Sequence, residues 1–168
     1  GRVCVYSSLR AFLDIGECRK TTCCILVDKE EIGSMGTTGM QSSFFENALI
    51  EICSLMGHKE TTSIGRCLSN SYMLSSDVNA AYDPLYSDVM DKRNSSYFNN
   101  GVVFCKYTGA RGKSGSNDAN AEYVAKLRNI MDNNNVNFQI SELGKVDAGG
   151  GGTIAYILAN RNVNVIDC

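Results

Sequence analysis

One proline, one histidine and no tryptophan occur among the 168 residues of this chain, and its net charge at neutral pH is only −2. Each shortage excludes something. With His58 as the lone histidine and no CxxC pair among the cysteines, no Cys/His zinc cluster can be assembled from within the chain. Scattered Lys and Arg at a net charge near zero exclude a nucleic-acid-binding face. No apolar run approaches the ~20 residues that span a bilayer, and no leader-like segment opens the chain, so a membrane role is not expected and a cytoplasmic location is. A single proline, Pro84, and the absence of repeats or low-complexity tracts leave no linker, so residues 1–168 read as part of one domain.

What is present is the composition of a soluble globular protein, 43% hydrophobic and 20% charged, long enough to bury a real core. Eight cysteines stand at positions 4, 18, 23, 24, 53, 67, 105 and 168. Several lie inside apolar runs, where a free thiol behaves as a small buried hydrophobe, so reduced cysteines are expected.

Hydrophobic periodicity orders the elements. Val5, Leu9, Phe12 and Leu13 recur at helical spacing before Gly16, and Phe45, Ala48, Leu49, Ile52, Leu55 and Met56 mark a second helix ending at Gly57. The run TCCILV (22–27) predicts a strand covered on both faces. Further strands are predicted at 71–75, 102–107, 137–143 and 163–167, with an irregular stretch to Asn100. A helix carrying Val124, Leu127, Ile130 and Met131 is expected after a cap at Asn117 or Asp118. A glycine loop at 144–152 leads into a helix over 153–161. This alternation predicts an α/β layered sheet with helices on both faces.

Such sheets place their chemistry in loops beyond the carboxyl ends of strands. Glu30 and Glu31 follow the 22–27 run directly, and Asp77 follows the 71–75 strand. Three carboxylates from two strand ends can therefore share one crevice, either as solvated turns or as a metal site.

The local wording goes further. VDKEEIGS followed by GMQS, SSDVNA at 75–80, GVVFCK at 101–106 and GGGTIAYIL at 150–158 resemble, in order, segments of the aspartyl aminopeptidase (aminopeptidase I) family of zinc metallopeptidases. RVCVYSSLRAF also looks like the helix that follows a metal-bridging aspartate in that family. The resemblance implies a three-layer α/β/α sandwich of the zinc exopeptidase type, incomplete in this chain. It also implies a peptidase that removes N-terminal residues from peptides with a two-zinc site, and a homo-oligomer. Carried over by segment, Glu30 is the general base, Glu31 a zinc ligand and Asp77 a ligand to the other zinc. Lys106 matches a lysine that holds an acidic N-terminal side chain of the substrate, although one more residue separates it from Gly101 than in relatives such as the animal enzymes. Gly151 and Thr153, in the loop 149–153, are expected beside bound substrate.

The resemblance also implies ligands that are not here: a histidine in an early His-x-Asp segment, a bridging aspartate and a late histidine. His58, at a predicted helix end, is expected to meet the helix dipole instead. The chain is therefore expected to be the central part of a catalytic domain, poorly active or inactive by itself. The alternative is an assembly or interaction piece, with Tyr82, Tyr86, Tyr97 and Phe98 of the irregular 79–100 region as a contact surface. Nucleotide binding fits poorly. YTGARGKS ends like a phosphate loop, but that motif needs a glycine where Tyr107 stands. The 149–152 glycines lack the third glycine of a dinucleotide loop, since Ile154 stands there.

Overall fold

The computed structural model describes residues 1–111 and 114–168, so the Gly-Lys pair of the phosphate-loop-like segment lies outside the described residues. Helix α1 (Arg2–Asp14) is followed by an extended stretch and a short 3-10 turn at Glu30–Ile32. Then come α2 (Phe44–Leu55), α3 (Ser63–Ser69), β1 (Tyr72–Ser75), β2 (Val102–Ala110), β3 (Ser114–Asp118), α4 (Ala121–Asn133), β4 (Phe138–Glu142), α5 (Ala155–Ala159) and β5 (Asn164–Asp167).

The strands form one mixed sheet. β5 lies parallel to β1 and touches β2 at a single antiparallel pair, Cys105 with Asp167. β2 also carries β4 in parallel and β3 as an antiparallel partner. Adjacent residues of β5 show why helices cover both faces. Val165 belongs to a core with Leu68 of α3 and Ala155 and Leu158 of α5, with Phe45 and Leu49 of α2 packed against it. Its neighbour Ile166 points the other way, into a core with Phe104 of β2 and Tyr123 and Leu127 of α4. Phe104 and Ile166 are almost wholly buried, and each such side chain contributes about 1.5–3 kcal/mol through burial. The α/β/α layering is thus written into the alternation of one strand.

Several expectations are corrected. Residues 22–27 are extended but form no strand, and among the described residues no backbone hydrogen bond ties them to a ladder. Ile25 and Val27 pack against the α2/α5 core, whereas Leu26 is 53% exposed. The segment is half-buried, with alternate residues inward, rather than covered on both faces. The cap of α4 is Asn120, whose side chain accepts from the Tyr123 amide at 2.8 Å. Asn117 is instead buried in β3, its Nδ2 donating to the Val165 carbonyl at 3.1 Å. α3 and β3 were not foreseen, and α5 is shorter than expected. Gly57 does stop α2. At φ +90° it ends the helix with His58 N–H donating to Cys53 O at 2.8 Å, the 6→1 bond of a left-handed helix terminus.

Candidate active site

The carboxyl ends of β1 and β5 coincide, because Ser75 and Asp167 are register partners. Beyond them the two chains stay bonded: Cys168 N–H donates to Ser75 O at 2.9 Å, and Asp77 N–H donates to Cys168 O at 3.0 Å. Asp77 is thereby fixed just past the sheet edge, and one of its oxygens accepts from the Val78 amide at 2.7 Å.

The acidic doublet lies on a different segment, and the charge of Asp77 is felt at Glu30. Lys29, at φ +67°, and Gly33, at φ +82°, bracket the 3-10 turn in left-handed conformations, turning the chain sharply around Glu30 and Glu31. The turn is closed by Gly33 N–H to Glu30 O at 2.9 Å and Ser34 N–H to Lys29 O at 2.8 Å. Gln41 Nε2 donates to Gly33 O at 2.6 Å. Gly39 is required here for close approach, since a Cβ would stand 2.2 Å from Ser34 O. Glu30 is partly covered and Glu31 exposed. Partial burial holds the Glu30 carboxyl above its ordinary range, and the charges of Asp77 and then Glu31 push it the same way. None of these influences comes from a cation. Glu30 thus feels the charges of both Asp77 and Glu31, but among the described residues no three His, Cys, Asp or Glu side chains are grouped to hold a metal.

The remaining expected residues divide. Thr153 lies at the heart of the site: its hydroxyl donates to Asp167 Oδ1 and lies 3.4 Å from Ser75 Oγ. Gly151 is one step away, its carbonyl accepting from Gly109 N–H at 2.8 Å, so the glycine loop runs alongside β2. Close backbone packing explains those glycines, because a Cβ on Gly150 would meet Gly109 O at 2.2 Å. Lys106 is engaged in an ion pair with Asp118 of β3. It also has no counterpart on β4, where Cys105 faces Ser141 and Tyr107 faces Glu142. The bulge at Lys106 is where β2 absorbs one additional residue.

Sequence reasoning missed Asp167. It is 4% exposed, and burial pushes its carboxyl above the ordinary range, opposed by the hydroxyls of Thr153, Ser75 and Thr108 and reinforced by Asp77. The signal was available, since Asp167 ends a strand just as Asp77 follows one. A cavity of about 230 Å³ between the start of α2 and α5 contains none of these acids. Another, about 10 Å³, is lined by Asp77, Thr108, Thr153 and Asp167.

Residues 1–168 match the family model described as aminopeptidase I zinc metalloprotease (M18). The chain belongs to this family. It is 59% identical over 167 residues to a "Probable M18 family aminopeptidase 1" of Clostridium acetobutylicum, covering 99% of this chain and 36% of that one. A crystal structure of an M18-family aminopeptidase from Thermotoga maritima superposes with a TM-score of 0.88 at 45% identity, over 99% of this chain and 37% of that one. The crystal structure of aminopeptidase I from Clostridium acetobutylicum gives 0.84 at 57% identity, over 99% and 36%. The chain thus spans little more than a third of the length of these relatives.

Zinc chemistry can be tested against the M18 residues present. Uncompensated carboxylates around Glu30 suit a dication in charge. They fall short in number: among the described residues no three His, Cys, Asp or Glu side chains are grouped to hold a metal. A catalytic zinc takes about three protein ligands. The fit is that of part of a site.

Proposed function

We propose that this chain is the central part of a metalloaminopeptidase catalytic domain, in which Glu30 is the general base and Glu31 and Asp77 are ligands of a two-zinc site. What supports this reading is the match of residues 1–168 to a zinc metalloprotease family, together with a Glu30 carboxyl raised by partial burial and by the charges of Asp77 and Glu31. A base with an elevated pKa accepts a proton from water and returns it to the leaving amine near neutral pH. Bound zinc supplies the Lewis acidity that polarises the scissile carbonyl and acidifies the attacking water. Asp77, anchored through its own amide, offers its carboxylate with little freedom to lose. Gly151 and Thr153 border the substrate side in this reading. Lys106 receives an acidic N-terminal side chain by exchanging Asp118 for it.

The test uses the full-length protein. Glu30→Gln is expected to lower kcat about 10²–10⁴-fold while zinc content is retained. Glu31→Gln and Asp77→Asn are expected to lose zinc on dialysis. Full turnover by Glu30→Gln would overturn the assignment.

Homo-oligomer formation through the 79–100 region is a second element of the proposal. Tyr82 and Tyr97 stack on each other at 5.8 Å, but Leu85, Tyr86 and Phe98 are among the most exposed large apolar side chains. Such a cluster favours a contact surface.

A further inference from the structure

Behind Asp77 the 10 Å³ cavity is walled by Asn79, Thr108, Thr153 and Asp167. Asp167 uses one oxygen to accept from the Thr153 hydroxyl. Its other oxygen, Oδ2, makes no geometrically sound hydrogen bond, and neither do Thr108 Oγ1 and Asn79 Oδ1, although the Thr108 and Ser75 hydroxyls lie close enough to favour the Asp167 carboxylate. Thr108 is 1% exposed and Asp167 4%, so neither is reached from bulk solvent. Leaving a buried polar group unpaired costs about 1–3 kcal/mol, and three residues bordering one cavity carry such an atom. A volume of this order is that of a single water. The inventory also matches: water donates to Asp167 Oδ2 and to Asn79 Oδ1, and accepts from the Thr108 hydroxyl. The orientation of Asn79 is set independently, since its Nδ2 donates to Ser96 Oγ at 2.8 Å and lies 3.3 Å from Ser141 Oγ.

We infer that Asp167 is a positioning residue for Asp77: Thr153 holds one of its oxygens, and the other acts on the 77–79 segment through one internal water shared with Thr108 and Asn79. The inference rests on the proposed role of Asp77 as a metal ligand. The segment 77–79 is gripped at both ends. At one end the Asp77 amide is held by the carbonyl of Cys168, the residue after Asp167. At the other, Asn79 is tied by the water to the Asp167 side chain. Thr153 Oγ1 also accepts from the Ala155 amide at 3.1 Å, so the same carboxylate is tied to the start of α5. A ligand aimed in advance loses less freedom on metal binding, and groups behind a ligand typically alter metal affinity about 10–100-fold.

The experiment compares full-length wild type, Asp167→Asn and Thr108→Val. In Asp167→Asn the zinc dissociation constant is expected to rise about 10-fold and kcat to fall about 10–100-fold. KM should stay within about twofold and near-UV circular dichroism should be unchanged. In the metal-free protein, hydrogen exchange at the Asp77 amide is expected to accelerate. Thr108→Val should shift each quantity the same way by less. Zinc affinity, turnover and Asp77 exchange all at wild-type values in Asp167→Asn would overturn the inference, as would a turnover loss matched by loss of folded protein. If wild type itself holds no zinc and cleaves no peptide, the proposed function fails, a result distinct from an active wild type with an indifferent Asp167→Asn.

Discussion

Two acids, Asp167 near the end of β5 and Glu30 in the 3-10 turn, are held above the ordinary carboxylate range, in both cases mainly by burial, and for Asp167 three hydroxyls oppose it. The sign of its effect on stability follows. An unfolded aspartate titrates near 3.9, whereas folded Asp167 holds its proton to higher pH. The folded state therefore binds more protons in that window, and the contribution is full below about pH 4 and lost as pH rises through the folded pKa. Above that range the burial of Asp167 opposes folding relative to the unfolded, ionised side chain. Asp167→Asn is accordingly expected to raise the melting temperature of the metal-free protein near pH 7 and to change it little near pH 4. Thermal denaturation monitored by circular dichroism at the two pH values checks this, and a variant less stable at both would contradict it. A side chain that weakens the fold at the pH where it would work is what a positioning role leads one to expect.

Among the elements, α4 shows how local chemistry is decided by place rather than by residue type. Asn117, Asp118 and Asn120 are all competent caps, and the sequence offered no ground for preferring the third. In the fold, the hairpin of β2 and β3 takes Asn117 into the sheet and leaves Asp118 facing Lys106. Only Asn120 remains where its oxygen meets the Tyr123 amide. Asn120→Ala is expected to cost about 1 kcal/mol, read as a fall in the urea midpoint with unchanged slope. The matching change at Asp118 removes an exposed ion pair and should cost less. The same logic explains which elements were legible. α2, β1, β2, β4 and β5 carry their apolar pattern openly. SGSND in β3 has no apolar residue and is a strand only because β2 pairs with it. TCCILV has every strand propensity yet lacks a partner, so alternate burial without a ladder is its outcome. The acidic candidates stood out in the sequence through a motif and one true strand end, β1 before Asp77, whereas the strand expected before Glu30 and Glu31 is not formed. Asp167 did not stand out, since its importance lies in burial and in hydroxyls from three separate segments.

For the whole molecule, the decisive quantities are ligand number and apolar exposure. The charges of Asp77 and Glu31 reach Glu30, but among the described residues no three metal-binding side chains are grouped, and zinc held by two carboxylates alone is readily lost. α1 leaves Val3, Tyr6 and Leu13 exposed, and α2 leaves Phe44 and Leu55 exposed, so the helices present apolar side chains that nothing among the described residues covers. With relatives nearly three times as long, both observations lead to one expectation. The 168-residue chain by itself should retain well under one zinc per chain after dialysis, should hydrolyse aminoacyl chromogenic substrates far more slowly than the full-length protein, and should associate in light scattering. These outcomes are linked through different physics. Added zinc would restore little turnover, because the missing term is ligand number rather than metal supply. Association would fall on adding a mild detergent without restoring activity, because apolar cover and ligand supply are separate deficits. Stoichiometric zinc with robust turnover by the 168-residue chain would show instead that Glu30, Glu31 and Asp77 complete a working site without further ligands.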